Sequence, residues 1–274
     1  MAPRTFLAAL VALALAATAG TAFAQEKTPN DPRLFTPGKL TVSTSDPAYP
    51  PWVLDNDPAS GQGFEAALVY ALAEELGFQR DDVVWVDVTF DGAIAPGPKA
   101  YDFSIQQISV TPERAQVATF SDVYYQSDKA VIALPDSAVA AAKSFADLRN
   151  ARWGVAVGTT DFDYVSRILG IDNAAVYDDQ AGVFQALQGG QIDATVAALP
   201  TALYATAVQV PEAKITALLP VDPNDEGLGL LFAQGNPIVP WINEGLAALK
   251  QKGVIQELVT KFLVADPNIP VISQ

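Results

Sequence analysis

The chain of 274 residues contains no cysteine and no histidine. Without cysteine it can form no disulfide, no thiolate metal site and no lipid-modified N-terminal cysteine. Without histidine, zinc chemistry and the imidazole acid–base catalysis of most hydrolases are closed off, and no metal or cofactor is expected. Positive charge is scarce as well: 16 Lys and Arg stand against 31 Asp and Glu, a formal net charge of −15. So acidic a surface repels phosphate backbones, which argues against nucleic acid as a partner. Long apolar runs are missing too. Phe6 to Ala17 is an unbroken run of twelve, short of the roughly 20 residues that span a bilayer.

That run has a different reading. Arg4 precedes it as a positive n-region and Ala22-Phe23-Ala24 follows as a small-residue cleavage site, the order of a secretory signal. Residues 1–24 are therefore expected to be a signal peptide cleaved after Ala24, giving an exported, unanchored, periplasmic chain. Removing them takes away one arginine and no acid, so the mature chain is more acidic still. Half of all residues are apolar, enough for a sizeable core, and the remaining length suits one large domain or two ordinary ones.

Strand and helix signals alternate after a polar, proline-bearing segment, residues 25–38, expected to be a flexible leader. Leu40 to Ser45 reads as a first strand and runs into Asp46-Pro47-Ala48-Tyr49-Pro50-Pro51-Trp52, a rigid loop carrying two aromatics. Phe64, Leu68, Leu72 and Leu76 repeat every four residues before Gly77, the pattern of an amphipathic helix and its stop. Further strands are expected at 83–88, 101–108, 130–133, 153–157, 194–198 and 214–218, and helices at 160–170, 183–187, 200–208, 238–253 and 254–262. This alternation predicts an α/β fold with mostly parallel pairing.

Two strand-to-helix turns carry anion-binding chemistry. In Gln106-Gln107-Ile108-Ser109-Val110-Thr111-Pro112-Glu113-Arg114, Thr111 is a good N-cap and Pro112 suits the first helical position. The free N–H groups of such a turn favour an anion, and Arg114 adds a planar fork of donors that matches a carboxylate. The alternative is an ordinary capped helix with a solvated arginine. Gly158-Thr159-Thr160 offers N–H and O–H donors at a second helix entrance, with plain capping by either threonine as its alternative. Tyr49 and Trp52 could wall a pocket or pack into the core.

These segments, with Gly63-Phe64-Glu65, Phe120-Ser121, Asp193-Ala194 and Gly235-Asn236-Pro237, resemble in order the periplasmic solute-binding proteins of amino-acid ABC importers, family 3. The resemblance implies a bilobed periplasmic-binding-protein fold, type II-like, whose two mostly parallel α/β lobes are joined by two crossing strands. Lobe 1 would comprise 39–129 and 226–274, and lobe 2 130–225. It implies a monomer that carries a small carboxylate solute to an ABC permease in the inner membrane. The ligand carboxylate would meet Arg114 and Ser109 from one lobe and Gly158, Thr159 and Thr160 from the other, with Tyr49 and Trp52 as walls and Asp46 at the rim. Two departures stand out. Ala198 occupies the place where the family has an aspartate for the ligand ammonium, so Asp46, Asp161 or Glu226 substitutes for it, or the ligand lacks a free α-amine. Gln106 and Gln107 replace small pocket-lining residues. A dehydratase-like enzyme and a ligand-sensing receptor component are the competing functions on this scaffold.

Overall fold

The computed structural model describes residues 27–263 and 269–271. The expected signal peptide lies outside them. From the N-terminal side, β1 (Leu40–Thr44) is buried along its whole length. α1 (Phe64–Glu75) buries Phe64, Leu68 and Leu72 against it. β2 (Val83–Asp87), α2 (Phe90–Ile94), β3 (Phe103–Ser104) and β4 (Ala118–Phe120) complete the first passage through this lobe. The chain then enters a second body at β5 (Lys129–Ala133). This body continues with α3 (Phe145–Leu148), β6 (Gly154–Ala156), α4 (Thr160–Asp163), β7 (Ala175–Tyr177), α5 (Gln180–Gln188), β8 (Ala194–Ala198), α6 (Leu199–Tyr204) and β9 (Lys214–Leu219). It returns to the first through β10 (Leu231–Ala233) and ends that passage with α7 (Val239–Gln251) and α8 (Val254–Phe262).

Each body has its own apolar core: Trp52, Phe64, Phe103, Phe232 and Trp241 belong to the first, Val131, Trp153, Tyr164 and Val196 to the second. The first sheet has the order β2-β1-β3-β10-β4. The bilobed α/β expectation is met, but pairing is mixed rather than mostly parallel. β1 runs parallel to β2 and β3, whereas β10 is antiparallel to β3 and β4. In the second lobe β5 sits antiparallel between β8 and β9, and only β6 and β7 pair in parallel as named strands. The cause is topological. β5 and β10 are the strands through which the chain enters one lobe and re-enters the other, and each inserts against the direction set by the βα units.

Two other expectations are corrected. Residues 27–38 are not a loose leader: Leu34 is buried in the first core, Asp31 holds the Arg33 guanidinium, and Phe35 N–H donates to Asp102 at 2.7 Å. The C-terminal stretch does not stay wholly in lobe 1, because Val271 is bridged in parallel to Leu218 of β9 and Leu218 N–H donates to the Pro270 carbonyl at 2.8 Å.

Candidate functional site

Between the lobes lies a cavity of about 380 Å³, the size of a small-molecule site. Asp46, Tyr49, Gln106, Gln107, Ser109 and Arg114 line it from the first lobe; Thr159, Thr160 and Ala198 line it from the second. Nine of the eleven expected residues are thus brought together from both sides. The structure gives them unequal roles.

Thr111 Oγ1 accepts from Arg114 N–H at 3.3 Å, but the helix that follows is only the 3₁₀ turn Arg114–Gln116, whose N-cap is Glu113 rather than the expected Thr111. The Arg114 side chain turns across the cleft. Nη1 donates to the Ser109 carbonyl at 2.8 Å, and Nη2 reaches the Gly158 carbonyl of the other lobe at 2.9 Å. Phe90 lies beneath the guanidinium, with its ring centroid 5.3 Å away. Burial pushes the Arg114 pKa down, against the opposing pull of Asp225 and Asp163. Gly158 is represented at the cavity by this carbonyl contact rather than by lining it. Its φ of +70° suits glycine, and a Cβ there would meet Asp91 Oδ1 at 2.8 Å.

Thr159 turns out to be the cap of α4. It accepts from Phe162 N–H at 3.1 Å and donates to the Ala156 carbonyl at 2.8 Å, so its hydroxyl is spent. Thr160 is the threonine that faces the other lobe, with Oγ1 3.3 Å from Ser109 Oγ. At this junction stand two residues that local sequence did not single out. Lys129 Nζ lies 2.8 Å from Asp161 Oδ1, 2.9 Å from Thr160 Oγ1 and 3.5 Å from Asp225 Oδ2. Ser109 Oγ in turn donates to Asp225 Oδ2 at 2.9 Å. Burial alone would lower the Lys129 pKa, but Asp161 and then Asp225 outweigh it and the ammonium is held charged.

Of the substitute acids, Asp161 is therefore in the site but committed to Lys129. Asp225, not the neighbouring Glu226, lines the cavity. Asp46 lines it too and accepts from Asn56 Nδ2 at 2.8 Å.

Trp52 is not a wall. It is fully buried, packs edge-on to Phe64 and Tyr125, and donates its indole N–H to Thr201 Oγ1 in the opposite lobe at 2.7 Å. Tyr49 does line the cavity. Its oxygen accepts from Ala181 N–H at 3.4 Å, and burial followed by the Asp179 charge raises its pKa to about 12.

The two glutamines also part company. Gln107, at φ +54°, gives its backbone N–H and Nε2 to Glu65 at 2.8 and 2.7 Å, so it is pinned from below rather than free to read a ligand. Gln106 donates to Ser104 Oγ at 2.9 Å, while its Oε1 has no partner among the described residues.

Lys129 and Asp225 carry no local motif, so sequence reasoning passed over them. The available signal was position: both sit where the chain crosses between lobes, next to the turns already suspected.

Three kinds of comparison bear on this arrangement. A profile of the bacterial extracellular solute-binding proteins, family 3, matches residues 40–265. ABC transporter arginine-binding protein 1 of Escherichia coli K12 is 28% identical over 216 residues, covering 77% of this chain and 85% of the relative. Among solved structures, an ancestral arginine-binding protein bound to arginine aligns with TM-score 0.69 and 26% identity over 83% of this chain and 99% of the other. The ancestral amino acid-binding protein AncCDT-1, described as a precursor of cyclohexadienyl dehydratase, aligns with TM-score 0.68 and 28% identity over 83% and 96%.

Proposed function

The chain belongs to the bacterial extracellular solute-binding proteins, family 3, and from that premise we propose that it captures a small carboxylate solute, an amino acid or close relative, between its lobes. It then presents that solute, in the periplasm and as a monomer, to an ABC permease of the inner membrane. One observation carries the reading: Arg114 spans from Ser109 to the Gly158 carbonyl of the opposite lobe, beside the Ser109–Thr160 approach. A carboxylate at that corner takes donors from both lobes at once. Its contacts are complete only when the lobes are together, which couples binding to closure.

Binding is favoured over catalysis. A dehydratase-like reaction needs a general acid or base free to exchange a proton with substrate. Asp161 and Asp225, which line the cavity beside the Ser109–Thr160 approach, are held by the Lys129 ammonium. The kinship with AncCDT-1 makes the enzyme reading worth a direct assay, and turnover of a prephenate-like substrate would decide for it.

Titration calorimetry against amino acids and organic acids is expected to find saturable, stoichiometric binding. Arg114→Ala should weaken it by about 3 kcal/mol, the scale for stripping one partner from a desolvated charge pair. Unchanged affinity in that variant removes the guanidinium from the site.

A further inference from the structure

The carboxylate corner already contains an ammonium. Lys129 is the first residue of β5, and its backbone lies in register with Ala198 of β8 on one side and Leu219 of β9 on the other. Its side chain is only 13% exposed, and its Nζ is enclosed by Asp161 Oδ1, Thr160 Oγ1 and Asp225 Oδ2. Those are three acceptors for the three protons an ammonium can donate. Where β8 runs out beside it, Ala198 contributes a methyl group and no acid.

The electrostatic consequence concerns the carbon next to a bound carboxylate. The corner holds two cations, Arg114 and Lys129, and two anions, Asp161 and Asp225, and both anions are engaged. An incoming carboxylate finds the Arg114 guanidinium, and beside it a Lys129 ammonium already paired with Asp161 and Asp225. A positive group on the adjacent carbon, within about 3 Å of that carboxylate by covalent geometry, meets the Lys129 ammonium, and the two acids beside it, Asp161 and Asp225, are already paired with that ammonium. Of the other acids that line the cavity, Asp46 accepts from Asn56, Asp179 caps α5 through Gly182 N–H and Asp222 pairs with Arg167, while Asp91, Asp128 and Asp178 stand apart from the Lys129 cluster and make no hydrogen bond with Lys129, Thr160 or Ser109.

We propose that Lys129 is a specificity-determining residue, which fills with its own ammonium the place a ligand α-ammonium would need. The site then takes carboxylates whose α-carbon carries no positive charge: simple, 2-oxo or 2-hydroxy acids, or acids whose amine or guanidine lies at the far end of the chain. This rests on the carboxylate reading of the Arg114 corner.

Matched pairs test it by calorimetry on the mature protein. L-arginine is compared with 5-guanidinopentanoate and L-leucine with 4-methylpentanoate, so that each pair differs only in the α-ammonium. The deaminated member of a pair should bind at least tenfold tighter. In Lys129→Met carrying Ala198→Asp, the order within the pair should reverse. Equal or tighter binding of the α-amino acid by the unmodified protein overturns the proposal, with no variant needed. If instead agmatine, which has the guanidine and no carboxylate, binds as tightly as 5-guanidinopentanoate and Arg114→Ala leaves both unchanged, the carboxylate reading itself has failed. The inference then falls with it.

Discussion

The Asp225 carboxylate accepts the Ser109 hydroxyl at 2.9 Å and so holds, from within the chain, a donor that a bound carboxylate requires. Asp225 sits on the segment that carries the chain from β9 back to β10, where its Oδ1 also takes the Gly227 N–H at 3.1 Å. A ligand must displace it from Ser109 or share the corner against its charge. Asp225→Asn is therefore expected to tighten carboxylate binding about tenfold, or about 1.4 kcal/mol, in calorimetry at low salt. Weaker binding would mean that Asp225 orders Lys129 rather than competing with the ligand.

Glu65 predicts a pH dependence of stability. It is completely buried on α1 and accepts from Gln107 N–H, Gln107 Nε2 and the Tyr124 hydroxyl. Burial raises its pKa from 4.5 to about 7, against the lowering effect of those three donors. Between these two values the folded chain holds a proton that the unfolded chain has lost. Stability therefore falls as pH rises from about 4.5 to about 7 and is flat above. The contribution is on the order of 3 kcal/mol. Urea unfolding of Glu65→Gln at pH 5 and pH 8 should lack this component of the slope. A variant whose pH profile matches the parent would show that Glu65 ionises freely in the fold.

Gly158→Ala tests the close approach of the lobes. The residue has φ +70°, and an added Cβ would stand 2.8 Å from Asp91 Oδ1 and 3.2 Å from Ile94 Cδ1, both on the facing lobe. Left-handed backbone costs a residue with Cβ about 1–2 kcal/mol, and the clash adds to this only when the lobes meet. Ligand affinity should thus drop by more than the stability of the free protein does. Equal losses in calorimetry and in urea unfolding would place the whole effect on the backbone.

Much of this architecture was legible because its signals are local. The four-residue spacing from Phe64 to Leu76 with Gly77 behind it is α1 and its left-handed stop. Gly158-Thr159-Thr160 is a helix entrance, though only the cavity geometry separates the capping Thr159 from the cleft-facing Thr160. Direction of pairing was not legible, because β5 and β10 carry apolar runs that fit a parallel or an antiparallel neighbour equally well. Lys129 and Asp225 are far apart in sequence and meet only through the crossing segments, so neither has a motif. Trp52 shows the remaining ambiguity. Proline-rich context suggested a rigid wall, but the indole is deep in the core, and the prolines fix a loop whose cavity-facing members are Asp46, Pro47 and Tyr49.

That buried indole is also a reporter of lobe contact. Trp52 Nε1 donates to Thr201 Oγ1 at 2.7 Å, from the loop after β1 to the first turn of α6 in the other lobe. In Thr201→Val the shape is kept and the acceptor is lost. When the lobes are together the indole N–H is then buried unpaired, a cost of about 1–3 kcal/mol. When they separate, water can take the bond. The penalty therefore falls on closure, and ligand affinity should weaken roughly 5- to 150-fold, the range those energies correspond to. The urea midpoint of the ligand-free protein should change less, and Thr201→Ser should recover most of the affinity. Unaltered ligand affinity in Thr201→Val would show that this bond contributes nothing to bringing the lobes together.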